Sequence, residues 1–449
     1  MATSAFVLIT LVAGYYVINT IYNLFFHPLS HLPGPILCRL SNLTSFYCAF
    51  KGTRHTWLWQ QFQIYGDKFR VAPNLVVFNN PEVYNQIFSY KTNRKLLNLA
   101  FTDHSIKAAT PFINNLDGWS KNRDISHEAN YLLFDILSDL CFGADFRTKE
   151  RGENKYKKIP EAFDTLFCFN NLLRKHPLHD FILWLKPHGL YTVLEHFSPR
   201  SILNHYKFVE MMINERPTNR EDMLHFLCNV RDPDAGERAF DQRSLSSEAN
   251  LLIMAGSDTT AIAVSGIFFY ITHHQRVYLK LVREIRESFD NLGSIIHGPQ
   301  LIGCKYMRAC IDETLRLAPG GLSELPREIL KGGMELDGHF YPEGTIIGTP
   351  TWEMGRNEEH YGDATTFRPE RWIISNDIDT WNPEEEVLRI KHGLHTFLKG
   401  PGDCVGQKLA IQILSLIFAR TLWQFDVRVA PGTHVGEGRP ELSWGRRDP

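Results

Sequence analysis

The chain has 449 residues, 43% hydrophobic and 22% charged, which is enough apolar material for one large domain or two ordinary ones and excludes a disordered or low-complexity protein. Its formal net charge is −2 and no polybasic block occurs, so nothing points to nucleic acid as a partner. Eight cysteines are scattered without a C-x-x-C pair, which argues against a zinc module or a disulfide-stapled secreted scaffold.

Residues 1–26 contain no Asp, Glu, Lys or Arg, and the apolar run from Ala5 to Phe26 would span about 33 Å as a helix, close to the apolar thickness of a bilayer. A membrane anchor is expected over 1–26 rather than a cleaved signal peptide, because the run is long, lacks a charged start and ends in no small-residue cleavage site. The first cations, Arg39 and Lys51, follow the anchor and put the remaining chain on the cytoplasmic side. Pro28, Pro33, Gly34 and Pro35 stiffen a proline-rich linker over 27–40, ahead of a globular domain over 41–449. Phe69 to Phe78 alternates around Pro73-Asn74 and reads as a hairpin, and Pro81 to Tyr90 as a short helix.

Farther on, Arg147 to Lys158 is highly charged and reads as a solvated loop; residues 160–230 show irregular helical spacing and no motif. Ser247 to His273 runs without proline and predicts a helix of about 40 Å that crosses the domain. Within it, Ala255 and Gly256 are small enough to admit a flat ligand, while Asp258 and Thr259 place an acid and a hydroxyl in an apolar helix. Taken alone, a threonine bonded back to the preceding turn and an aspartate turned to solvent explain that block as well. Glu313 and Arg316 share a helical face at i, i+3, a spacing that by itself is an ordinary surface ion pair. Met334 to Thr351 reads as small-sheet strands, and Phe425 onward as a terminal hairpin. Trp381 to Lys399 reads as an irregular, charged approach, with His392 and His395 as loop residues.

That approach leads to the stretch with the most distinctive chemistry. Phe397 to Gly406 holds one cysteine, Cys404, in a tight loop with Gly400, Pro401, Gly402 and Gly406, at the mouth of a helical run beginning at Gln407. The dipole at a helix N-terminus favours a thiolate, and such a loop can present a single sulfur to a metal. The loop resembles that of the cytochrome P-450 family: Phe397, Gly400, Cys404 and Gly406 fit its spacing, and Gly402 stands where the family has arginine. Three further blocks resemble family motifs in the family's order. They are Ala255 to Thr260, the pair Glu313 and Arg316, and Phe367 to Trp372, which contributes Arg371.

The resemblance implies a mainly α fold with small β-sheets, an N-terminal transmembrane helix as in fungal microsomal members, and heme b axially ligated by Cys404. It implies that Asp258 and Thr259 manage protons during oxygen activation. It also implies that Glu313, Arg316 and Arg371 form a buried structural triad, and that Arg94 and Arg327 meet the haem propionates. Arg94 follows the preceding helix almost directly, where the family inserts several tens of residues over the substrate pocket, and Tyr90 stands where the family has tryptophan. Trp119 to Arg123 imitates that Trp-x-x-x-Arg motif but is read as a coincidental match. The implied activity is a monooxygenase of the endoplasmic reticulum membrane, with its catalytic domain cytoplasmic. It would insert one oxygen atom from dioxygen into a lipophilic small molecule of secondary metabolism, with electrons from an NADPH-dependent flavoprotein reductase. The rival readings are a haem-binding remnant or truncated gene model, motivated by the shortened segment, and a reductase-independent isomerase or lyase, against which the intact Asp258-Thr259 pair weighs.

Overall fold

In the computed structural model of this chain the described residues are 2–88, 124–185, 188, 190, 200–215, 222–231, 236, 240–376, 382–430 and 432. Tyr90, Arg94, Trp119 and Arg123 lie outside them.

The apolar N-terminus forms α1 (Ala2–Ile21), continued by a π-helical turn over Tyr22–Phe26. The proline-rich stretch that follows is packed against the domain: Leu29 and Leu32 are buried, and the Arg70 backbone N–H donates to Pro33 O at 2.8 Å. Three helices come next, α2 (Ile36–Leu40), α3 (Leu43–Phe50) and α4 (Arg54–Tyr65), then strands β1 (Lys68–Ala72) and β2 (Leu75–Phe78), paired antiparallel, and α5 (Pro81–Phe88). The helical half holds α6 (Ile125–Phe142), α7 (Lys158–Lys175), α8 (Arg200–Glu215), α9 (Gln242–His273), α10 (Gln275–Ser288) and α11 (Lys305–Leu317). Strands β3 (Arg327–Glu328) and β6 (Ile346–Gly348) complete a four-stranded sheet in the order β1-β2-β6-β3, and β4 (Met334–Leu336) pairs with β5 (His339–Tyr341). Helices α12 (Glu384–His392) and α13 (Gln407–Gln424) flank the cysteine loop.

Helix α9 is the axis of the core. Its Ser244–His273 portion is long and apolar enough to cross a bilayer, yet 67% of its apolar window is buried among neighbouring helices. Small residues let those neighbours in. A Cβ on Gly256 would stand 2.6 Å from Leu137 Cδ1 of α6, and one on Gly266 would stand 3.0 Å from Thr314 Cγ2 of α11. Gly256 therefore serves helix packing, not the approach of a flat ligand. The helix also starts five residues earlier than its apolar pattern, because Asp241 caps it by accepting from Ser244 N at 2.7 Å.

The charged approach differs from expectation as well: residues 384–392 are helical. Three glutamates open α12, and Arg389, Lys391 and His392 close it, so its charges oppose the helix dipole at both ends. After α13, residues 425–430 pair with no strand among the described residues.

Candidate haem-thiolate site

The cysteine loop is a series of tight turns. Leu398 and Gly400 both have positive φ, 62° and 71°, and residues 400–402 form a 3-10 turn. The Cys404 N–H donates to Phe397 O at 2.7 Å, so the loop closes on itself directly ahead of α13. Cys404 is exposed, and a Cβ on Gly406 would stand 3.9 Å from its Sγ. By contrast Cys38, Cys141, Cys304 and Cys310 are buried. Burial pushes the Cys38 thiol up to about 11 and raises Cys141 and Cys310 as well, so these remain protonated.

On α9, Ala255 and Thr259 lie one turn apart and are both exposed, although the helix is the core element. Thr259 Oγ1 donates to Ala255 O at 2.6 Å, the bond back to the preceding turn. Asp258 is buried, 5% exposed, and not turned to solvent. The loop after α11 packs on this spot, since a Cβ on Gly320 would stand 2.8 Å from Thr259 Cβ.

Glu313, Arg316 and Arg371 meet in the interior, each at most 2% exposed. Glu313 Oε1 accepts from Arg316 Nη2 at 2.8 Å, Arg371 Nε at 3.1 Å and the Arg368 N–H at 2.8 Å; its Oε2 accepts from Arg316 Nε and Trp372 Nε1, both at 2.9 Å. The remaining guanidinium donors go to backbone carbonyls: Arg316 to Gly355, Ala364 and Thr366, Arg371 to Tyr361, Gly362, Asp363 and Thr366. Burial raises the Glu313 carboxyl, but the Arg316 hydrogen bonds and the charges of Arg316 and Arg371 outweigh it and leave Glu313 below its ordinary value. The carbonyls bonded to these arginines belong to the segment between α11 and α12, so the ion cluster fixes the ground over which the chain reaches the cysteine loop.

Arg327 is exposed on β3, with Nη2 3.9 Å from where a Cβ on Gly402 would stand. Two features escaped the sequence. Glu324 is fully buried between Arg54 Nη1, at 2.5 Å, and Lys175, and those two cations hold its carboxyl down at about 2 against the opposing effect of burial. His395, read as a loop residue, is 3% exposed and stacks on Tyr84. No local pattern announces either contact, because the partners are 270 residues apart in the first case and come from α5 in the second.

An exposed thiol in a glycine-rich turn, a core helix with an exposed hydroxyl beside an acid, and a cation next to the loop fit the needs of a haem group. A mostly helical fold with these parts is that of the haem-thiolate oxidoreductases. The chain belongs to the cytochrome P450 family: the family model described as Cytochrome P450 matches residues 67–442. It is similar to a cytochrome P450 monooxygenase of Alternaria alternata, 27% identical over 98% of this chain and 92% of the relative. That alignment runs over 496 residues, so the relative carries residues this chain lacks. A trichothecene C-15 hydroxylase of Fusarium sporotrichioides is 27% identical over 96% of this chain and 94% of its own. A cytochrome P450 monooxygenase of Gibberella zeae is 30% identical over 73% of each chain. The chain is thus an oxidoreductase of the P450 monooxygenase type, a family that works with haem, dioxygen and a redox partner.

Proposed function

We propose that this protein is a membrane-anchored monooxygenase that inserts one atom of dioxygen into a lipophilic small molecule of secondary metabolism. The observation that carries the reading is Cys404, exposed in a closed glycine-rich turn at the start of α13 while the buried cysteines are held as protonated thiols. Heme b, when bound through Cys404, supplies the dioxygen chemistry, favoured by electron density from the thiolate. Phe397, Gly400 and Gly406 shape the turn around the sulfur. Arg327 holds a propionate, as does Arg94 on the resemblance of its segment. The Thr259 hydroxyl, on the exposed face of α9, leaves the Ala255 carbonyl to pass a proton, and Asp258 supplies it. Glu313, Arg316 and Arg371 hold the segment leading to the loop.

The domain division is anchor 1–26, linker 27–40 and catalytic domain 41–449, with the anchor in the endoplasmic reticulum membrane and the catalytic part cytoplasmic. Exposed apolar side chains support this: Phe6, Ile18 and Phe25 near the N-terminus and Ile36 and Leu37 on α2 are all at least 65% exposed. Electrons come from an NADPH-dependent flavoprotein reductase.

The test is isotopic. Membranes containing the protein and a flavoprotein reductase are given NADPH, ¹⁸O₂ and a fungal lipophilic extract, and the products are examined by mass. One ¹⁸O atom per product molecule, dependent on NADPH, is expected. Product formed equally without NADPH or dioxygen would overturn the reading in favour of an isomerase or lyase.

A further inference from the structure

Four side chains from three distant stretches form one column. The Arg327 guanidinium of β3 lies over the Phe88 ring, 4.7 Å from its centroid. Phe88 stacks on Tyr84 at 4.5 Å and 29°, and Tyr84 on His395 at 3.7 Å and 18°. Tyr84 and Phe88 stand at i, i+4 and so share one face of α5. Those two rings and His395 are buried, and only Arg327 reaches the surface of the site.

The ends of the column bracket the cysteine loop. At one end the His395 carbonyl accepts from Leu398 N at 3.0 Å, inside the turn that opens the loop. At the other, Arg327 Nη2 lies against Gly402, two residues before Cys404. The neighbouring cation Lys399 is engaged elsewhere, donating to Asn85 Oδ1 at 3.1 Å and to His392 O at 2.5 Å. Arg327 is therefore the cation that stands at Gly402 among the described residues, and Gly402 is where the family's loop carries arginine.

We propose that the column is a positioning device: the aromatic face of α5, backed by His395, sets the Arg327 guanidinium beside Gly402. Positive charge that the loop lacks at 402 is thereby delivered from β3 to a carboxylate of the bound haem. The proposal rests on the reading of Cys404 as haem ligand and Arg327 as propionate contact. The electron-rich ring face attracts the guanidinium, and stacking fixes the plane of that ring. An arginine without this support would have to be ordered at the cost of its rotamer freedom each time haem binds. Phe88, Tyr84 and His395 thus act through Arg327.

The test measures haem release from the full-length holoprotein into excess apomyoglobin, for wild type, Phe88→Leu, Arg327→Ala, Gly402→Arg and the Phe88→Leu/Gly402→Arg double variant. Phe88→Leu is expected to release haem roughly two- to fivefold faster, the range a cation–π contact to an exposed cation commands, and Arg327→Ala at least as fast. Gly402→Arg is expected to restore slow release in the Phe88→Leu background, because the loop then carries its own cation. The backbone accepts that change, since a Cβ at 402 meets only Arg327 Nη2, at 3.9 Å. Fast release by Arg327→Ala with wild-type release by Phe88→Leu would overturn the column while sparing the propionate contact. Wild-type release by Arg327→Ala would overturn the contact itself. Failure of Gly402→Arg to rescue Phe88→Leu would assign the loss to general loosening and also overturn the proposal.

Discussion

Thr259 and Glu313 show how much a residue's role depends on what the fold brings to it. Thr259 Oγ1 is tied to Ala255 O on an exposed face, a hydroxyl that must turn to act. Thr259→Ala is expected to leave reduction by NADPH in place but uncouple it, with most oxygen consumed appearing as peroxide or water; product-to-NADPH stoichiometry equal to wild type would remove Thr259 from proton delivery. Glu313 collects five donors in a fully buried site. Glu313→Gln leaves two guanidinium charges short of their counter-charge and is expected to cost about 3–5 kcal/mol in denaturant unfolding. A loss under 1 kcal/mol would make the cluster an ordinary ion pair. The i, i+3 spacing of Glu313 and Arg316 was readable on its own, whereas their burial with Arg371 was expected only through the family resemblance. The bonds from Trp372 Nε1 and the Arg368 N–H exist only because the chain returns 59 and 55 residues later. The Arg54–Glu324 pair, 270 residues apart, left no local trace at all.

At the scale of elements, periodicity located the long helix and the β1–β2 hairpin, whereas charge order was the signal needed for α12. Glu384, Glu385 and Glu386 at its start, with Arg389, Lys391 and His392 at its end, were legible but lay among residues with little apolar periodicity. Close approach between elements was not legible. Gly355, at the end of the short helix Thr351–Met354, lies so near α11 that an added Cβ would fall well inside van der Waals contact distance of the Arg316 carbonyl oxygen. Gly355→Ala is expected to destabilise the protein by about 3 kcal/mol, through overpacking against the helix that carries the ion cluster. Gly321→Ala, where a Cβ meets nothing within 4 Å, is expected to stay within about 0.5 kcal/mol. Equal melting temperatures for the two variants would contradict this packing.

For the molecule as a whole, acid is the natural stress. His55 is 9% exposed and meets Trp352 edge to face at 5.1 Å; burial, with the Arg356 charge second, pushes its pKa down to about 4. The unfolded chain binds that proton near pH 6.5 and the folded protein only near 4, so the stability His55 contributes is complete above 6.5 and is lost as pH falls through that window. Glu324 adds to the loss at lower pH, because its carboxyl is depressed to about 2 and its contribution fades from the ordinary carboxylate range downward. His55→Phe keeps an aromatic contact without a titrating group. It is expected to flatten the pH dependence of unfolding free energy between 6.5 and 4 by up to about 1.4 kcal/mol per pH unit, less the share that solvent screens. An unchanged slope would show that His55 titrates freely.

Ligation of haem iron by the Cys404 thiolate, proposed above, would be read in the absorption spectrum of the reduced protein under carbon monoxide. The expected result is a strongly red-shifted Soret band, the signature of thiolate ligation, which disappears in Cys404→Ser while the fold, followed by circular dichroism, is kept. An unshifted band in the wild type, or a red-shifted band that survives Cys404→Ser, would contradict it.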